Sequence, residues 1–208
     1  MVTEYRIRAC SAVVFALAAT FGGSARAGSH TWDVNEVFSN ADGTIQFIEL
    51  WEANGSPGEV GVPGHMMTSD AKSFTISGAA LSSPTTNKFY LIATQTFADL
   101  PGAPTPDAII PVGVVPFFSV DGDTITYEPW DGMTFGAGVL PTDGLNSLRA
   151  DLTTGLNSPT NYAGIPGSVD ASEAGPVPAA STWGVVVMSL VVACAGTMLV
   201  VRRRAVAV

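Results

Sequence analysis

A chain of 208 residues holds one ordinary domain with short targeting segments more readily than two full domains. Only 13% of its residues are charged, glycine (22) and proline (14) are plentiful, and mean hydropathy is +0.33, which excludes a disordered chain, a coiled coil and a nucleic-acid-binding arm. The net charge of −9 hides an asymmetry: Arg6, Arg8 and Arg26 lie near one end and Arg202, Arg203 and Arg204 near the other, so residues 28–175 set 17 acidic side chains against Lys72, Lys88 and Arg149, a net −14 that repels nucleic acids and anionic headgroups.

Residues 1–27 have the form of a cleaved export leader. Arg6 and Arg8 supply a positive start, residues 9–21 an apolar stretch, and Ala25-Arg26-Ala27 a small-x-small motif that predicts cleavage between Ala27 and Gly28. The apolar stretch is shorter than the roughly 20 residues a membrane span needs. Cys10 opens that stretch, whereas a lipidated cysteine would close it.

From 28 to 163 the dominant period is two. In 44–51, Ile45, Phe47, Glu49 and Trp51 share one face and Gln46, Ile48 and Leu50 the other. Further strands are predicted at 33–38, 73–77, 88–94, 109–110, 114–120, 124–128 and 133–135, with one helical turn at 96–100 stopped by Pro101. Asp42-Gly43, Asn54-Gly55, Asp121-Gly122, Asp131-Gly132 and Asp143-Gly144 read as turns. Short strands at such spacing predict an all-β domain built as an antiparallel sandwich. The only cysteines, Cys10 and Cys194, lie outside it, so it holds no disulfide and no cysteine-ligated zinc or haem.

Composition then shifts to glycine, proline, alanine and serine, and 164–182 is read as a stalk. Residues 184–201 carry no charge across 18 positions, about 27 Å as a helix. With Trp183 at the outer edge, 183–201 predicts a transmembrane helix. The basic tail 202–208, led by Arg202, Arg203 and Arg204, is then cytoplasmic. The expected location is the cell envelope: exported, and held in the inner membrane by this helix.

The run Val177-Pro178 through Ser181, Trp183 and Gly184, then the apolar helix and the arginine triplet, resembles the PEP-CTERM class of bacterial C-terminal sorting signals, closest to variants with Ser-x-Trp-Gly before the helix. The resemblance covers residues 176–204; Ala179-Ala180 stand where Glu-Pro would complete the archetype. It implies an exosortase-type sorting protease as partner and release to the cell surface or its polysaccharide matrix. In the domain, Val34-Asn35-Glu36-Val37, Phe47-Ile48-Glu49-Leu50, Phe89-Tyr90-Leu91-Ile92 and the segments 141–144 and 158–161 resemble lamin-tail-like domains, which implies an immunoglobulin-like sandwich without shared catalytic residues. Under that resemblance Glu36 and Glu49 are either partly buried carboxylates tying strands together or solvated acids on an edge strand.

Catalytic motifs are missing: there is no G-x-S-x-G, H-E-x-x-H, phosphate loop or G-x-G-x-x-G. A serine triad would have to recruit His30 or His65, neither near a strained nucleophile turn. His65-Met66-Met67 has copper(I) ligand types but no further partners, and reads as a loop contacting the core. Asp121 and Asp123 are the weak calcium candidates, although the EF-hand pattern is absent and ordinary hairpin chemistry explains them better, and no cofactor is expected. The expected function is a non-enzymatic binding or structural module of the envelope or matrix. The alternative is a polysaccharide hydrolase using loop carboxylates. Exposed aromatics mark a glycan-binding face, with Trp51, Trp130 and Tyr127 as candidates, and a hydrolase needs two carboxylates about 5–9 Å apart in a cleft.

Overall fold

The computed structural model describes residues 28–172. Their strands, in chain order, are β1 (Trp32–Ser39), β2 (Gln46–Glu52), β3 (Met66–Thr68), β4 (Ser73–Thr75), β5 (Phe89–Ala93), β6 (Ala108–Ile109), β7 (Asp123–Glu128), β8 (Asp131–Phe135), β9 (Asn146–Arg149) and β10 (Thr154–Leu156). The larger sheet has the order β10-β9-β1-β2-β5-β6, antiparallel except for β5–β6. The smaller, β4-β3-β7-β8, is antiparallel throughout. The two face each other across one core, so the all-β sandwich expected from the sequence is present.

The faces of β2 are those its alternation dictates. Ile48 and Leu50 join Tyr90 and Ile92 of β5 against Met67, Phe74, Ile125, Tyr127 and Met133 of the smaller sheet. Phe47 points the other way and packs with Phe38, Leu91, Ala93 and Phe97 into a second cluster on the outer face. The helical turn α1 (Gln95–Ala98) covers that cluster. Thr94 caps it, its hydroxyl accepting from the Phe97 amide at 3.3 Å, and Phe97 meets Phe47 edge-on at 5.2 Å.

β1 changes face partway along. A register shift between Val34 and Glu36 inserts a bulge, so Trp32 and Val34 before it and Val37 after it all reach the inter-sheet core while Glu36 and Phe38 turn outward. The Val34 amide at this bulge donates to the Asp131 carboxylate at 2.7 Å, tying β1 to the start of β8.

Four sequence expectations need correction. The apolar run 114–120 is not a strand. After a 3-10 turn at Val112–Val114 it is irregular, because Gln46 replaces a ladder neighbour: its Oε1 accepts from the Phe117 amide at 2.6 Å and its Nε2 donates to the Phe118 carbonyl at 2.8 Å. Asp131-Gly132 lies inside β8 rather than in a turn, and the connection is made one step earlier, where the Trp130 amide meets the Tyr127 carbonyl at 2.9 Å. The strands β3, β9 and β10 form where the sequence reads as loop. Finally, packing continues past 163: Val169 and Ala171 are buried in the outer cluster, and Asn157 grips the backbone of Val169 through both its amide atoms. Residues 164–172 therefore belong to the domain, and the rest of the expected stalk lies outside the described residues.

Among the described residues no helix is long and apolar enough to cross a membrane. The expected leader 1–27, the span 183–201 and the tail 202–208 lie outside them.

Candidate functional site

The two ends of β1 carry different chemistry. Eight residues at about 3.3 Å each separate them by roughly 25 Å. At the Ser39 end, Asn40 bridges Asp143 and the Ala171 amide donates to the Gly144 carbonyl at 2.8 Å, so the last described residues leave from there. At the Trp32 end lie Ser29, His30, Glu59, His65, Met66, Tyr127 and Trp130, which hold both histidines of the chain.

This second end is assembled from three separated segments. Gly64, at φ +99°, turns the chain so that the His65 carbonyl accepts from Ile76 and its ring leans toward β7. The ring meets Trp130 edge-on at 4.5 Å and Tyr127 at 6.0 Å. The hydroxyl of Ser29 hydrogen-bonds His65 Nε2 at 2.7 Å. Burial holds the imidazole below its ordinary pKa, so it is neutral near pH 7. A serine beside a neutral histidine has the first step of nucleophile activation. Ser29, however, is only 3% exposed, and its hydroxyl is closed off beneath the loop. The pair therefore acts as a latch between the first described residues and β3.

The Tyr127 hydroxyl lies beside Ser29, buried, with no hydrogen bond of good geometry, and burial pushes its pKa up. Tyr127 is thus a core residue, which corrects the expectation that it is an exposed aromatic. In β7 it shares the inward face with Ile125. Trp130 is 39% and Met66 43% exposed, and with His65 between them they form the aromatic surface of this end. Trp51 is half-buried on the outer face, stacked on Phe89 at 6.2 Å.

The acids serve mostly as internal fasteners. Glu36 and Glu49 face one another in register across β1 and β2, each 1% exposed. Glu36 accepts from the Ser147 hydroxyl (2.5 Å) and from both the amide and the hydroxyl of Ser158 (2.8 Å each), with Arg149 at 3.9 Å. Glu49 accepts from Asn35 Nδ2 (2.7 Å) and the Thr160 amide (2.6 Å). Its pKa is raised to about 8, chiefly because burial penalises the charge, with Glu36 adding to the effect. These are the strand-tying carboxylates of the two alternatives, and they pin the 158–160 segment to the sheet. Glu52 holds Thr31, Ser56 and Asn87 in the same manner. Asp107, its pKa raised by burial, holds the Leu91 and Tyr162 amides. These four carboxyl groups spend their oxygens on hydrogen bonds within the domain.

The calcium candidates do not converge. Asp123 spends both oxygens on three backbone amides, those of Asp70, Thr124 and Ser119, each at 2.7 Å, while Asp121 points to solvent. No group of three potential metal-ligating acids or histidines exists among the described residues. A cleft of about 310 Å³ opens beside them, lined by Asp42, Lys72, Pro116, Phe117 and Ser119, but its polar groups are occupied: Lys72 caps the Val114 and Pro116 carbonyls and Asp42 holds Thr44.

Of the targeting residues, Gly28 is the first described. Ala25, Ala27, Val177, Pro178, Ser181, Trp183, Gly184, Arg202, Arg203 and Arg204 lie outside the described residues. Sequence reasoning misses the pairing of Ser29 with His65 and the placement of Glu59, because contacts across some 30 residues leave no local pattern. No protein-family model, curated protein or solved structure matches the chain.

Proposed function

We propose that the chain is an exported, non-enzymatic surface module: an immunoglobulin-like sandwich related to lamin-tail-like domains, carried outward by the 1–27 leader and tethered by the 183–201 helix, with a PEP-CTERM-like signal for later transfer to the surface or matrix. The observation that carries the reading is the polarity of the domain. The chain leaves toward the tether from the Ser39 end, while the exposed Trp130 and Met66, with the half-buried His65, lie at the opposite end. A domain held from behind in this way presents its aromatic patch away from the membrane, where a ring face can stack on a sugar or a partner surface. The occupied carboxylates favour a binding or spacing role over hydrolysis.

The sorting half of the proposal is tested on a gel. In cells holding an exosortase-type enzyme, replacing Pro178 and Trp183 by alanine is expected to leave a membrane-retained precursor about 3 kDa heavier than the wild-type product, from roughly 30 residues left uncut. Identical migration of wild type and variant means a permanent tail anchor instead.

A further inference from the structure

Glu59 is a buried carboxylate, 6% exposed, at the point where the described chain begins. Its Oε2 accepts from the His30 amide at 2.7 Å, and the His30 ring, 61% exposed, stands 3.3 Å away. Among the described residues its Oε1 accepts no hydrogen bond. That oxygen lies against Gly28: a methyl group built on the Gly28 Cα falls 2.5 Å from Oε1 and 2.9 Å from Oε2. Gly28 is anchored there by its own carbonyl, which accepts from the Gly61 amide at 2.9 Å, and by Ser29 next to it on His65. Behind the carboxylate, Trp32 Nε1 donates to the Glu59 carbonyl at 2.8 Å, and the Glu59 amide donates to Thr85, so the side chain is presented from a fixed backbone. A carboxylate removed from water with only an exposed imidazole beside it lacks a full counter-charge. The Gly28 nitrogen is one bond, about 1.5 Å, from the Cα that carries this built methyl group.

We infer that Glu59 is the receptor for the α-ammonium of Gly28, a maturation lock that closes when the leader is removed. The inference rests on the reading of 1–27 as a leader cut after Ala27. Hydrolysis there breaks the Ala27–Gly28 C–N bond; the water oxygen goes to the Ala27 carboxyl and its protons leave the Gly28 nitrogen as an ammonium at neutral pH. A neutral amide N–H thereby becomes a cation with three donors beside a buried anion, and the charge pair forms only in the processed chain. A side chain at 28 would displace the carboxylate from its present position against the chain. The fold is consequently completed by export, and the unprocessed precursor is the less stable form.

The test is a double-mutant cycle on the detergent-solubilised protein recovered after export. Intact mass first establishes the N-terminus: a chain starting at Gly28 supports the leader reading, and any other start overturns both it and the lock. Inserting Ser-Ser between Ala27 and Gly28 leaves the 25–27 motif intact and moves the ammonium about 7 Å along the chain. The insertion is expected to lower the unfolding midpoint by about 5–10 °C, as for a broken buried ion pair, and by under about 2 °C in the Glu59→Gln background. An equal effect in both backgrounds, or none in either, overturns the lock while leaving the leader reading intact. Should Glu59→Gln fail to fold, the wild-type α-amine is titrated by competitive acetylation. His30, His65 and Tyr127 are the other ionisable groups around it. An amine pKa at least about one unit above the ordinary 7.7–8.0 supports the pairing, and an ordinary or lower value overturns it.

Discussion

Replacing Glu49 by glutamine should make the domain more stable in mild alkali and flatten its dependence on pH. In the folded protein the carboxyl titrates at about 8 rather than 4.5, because the sheet and the 158–160 segment exclude water from it and Glu36 lies opposite. The folded state therefore binds a proton more readily than the unfolded chain does. Stability linked to this group is present in full below about pH 4.5 and falls as pH rises toward 8, the reverse of an ordinary salt-bridged acid. A shift of that size is worth at most about 5 kcal/mol at 1.36 kcal/mol per unit. Structural relaxation and water entry halve such ceilings readily, leaving about 2–3 kcal/mol, or roughly 5–10 °C in Tm for a domain of this size. Glutamine keeps the shape and carries no charge. Its carbonyl can accept from the Thr160 amide while Asn35 turns its own oxygen toward the new NH₂. Calorimetry of wild type and Glu49→Gln between pH 5 and 9 is the assay. The curves should lie closest near pH 5, separate progressively up to about pH 8 with the variant higher, and run parallel beyond it. Curves parallel throughout, or a variant that loses more stability at pH 9 than at pH 5, would refute the reasoning.

Two further substitutions probe the frame around the site. Leu50 is fully buried between the sheets, so Leu50→Ala should cost about 2–5 kcal/mol in urea unfolding; under about 1 kcal/mol would mean the inter-sheet core is elsewhere. Gly144 sits at φ +78°, and an added Cβ would lie 2.5 Å from the Ala171 carbonyl carbon. Gly144→Ala should therefore cost about 2–4 kcal/mol and expose 169–172 to limited proteolysis, and an unchanged Tm would remove that segment from the domain.

What the sequence discloses here depends on how local the cause is. Strands β1, β2, β5 and β7 are legible as short runs rich in β-branched and aromatic residues, of which the half-buried β7 alone alternates throughout, and the split of Phe47 from Ile48 and Leu50 is visible in the order of residues alone. The same rule places Tyr127 with Ile125 on the inward face of β7, which takes Tyr127 out of the exposed aromatics once the alternation is followed to the strand's end. The bulge in β1 is illegible, since nothing in Val34-Asn35-Glu36 says where one residue will be left unpaired. The run 114–120 misleads for a related reason: Phe117 and Phe118 are buried as strand residues would be, but their backbone partner is a side chain some 70 residues away. Strands β9 and β10 are three or four residues long with polar or glycine members, too brief for a period to show. Composition alone makes 164–172 look like a stalk, although two small apolar residues, Val169 and Ala171, suffice to dock it. At the candidate site Trp130 is legible as an exposed loop aromatic, whereas Ser29, Glu59 and His65 meet only through tertiary folding.

The central claim is orientation, and cysteine labelling measures it. Residues 28–175 contain no cysteine, and Val112 is 91% exposed, so in a Cys194→Ala background Val112→Cys places a single reporter on the domain and Val208→Cys one on the tail. Both are to be treated with a membrane-impermeant maleimide in spheroplasts of cells lacking an exosortase-type enzyme, so that the tail is retained. The account predicts that Val112→Cys labels at once and Val208→Cys only after permeabilisation, since the arginine triplet holds the tail inside. Protection of Val112→Cys in intact spheroplasts, or labelling of Val208→Cys without permeabilisation, would contradict it.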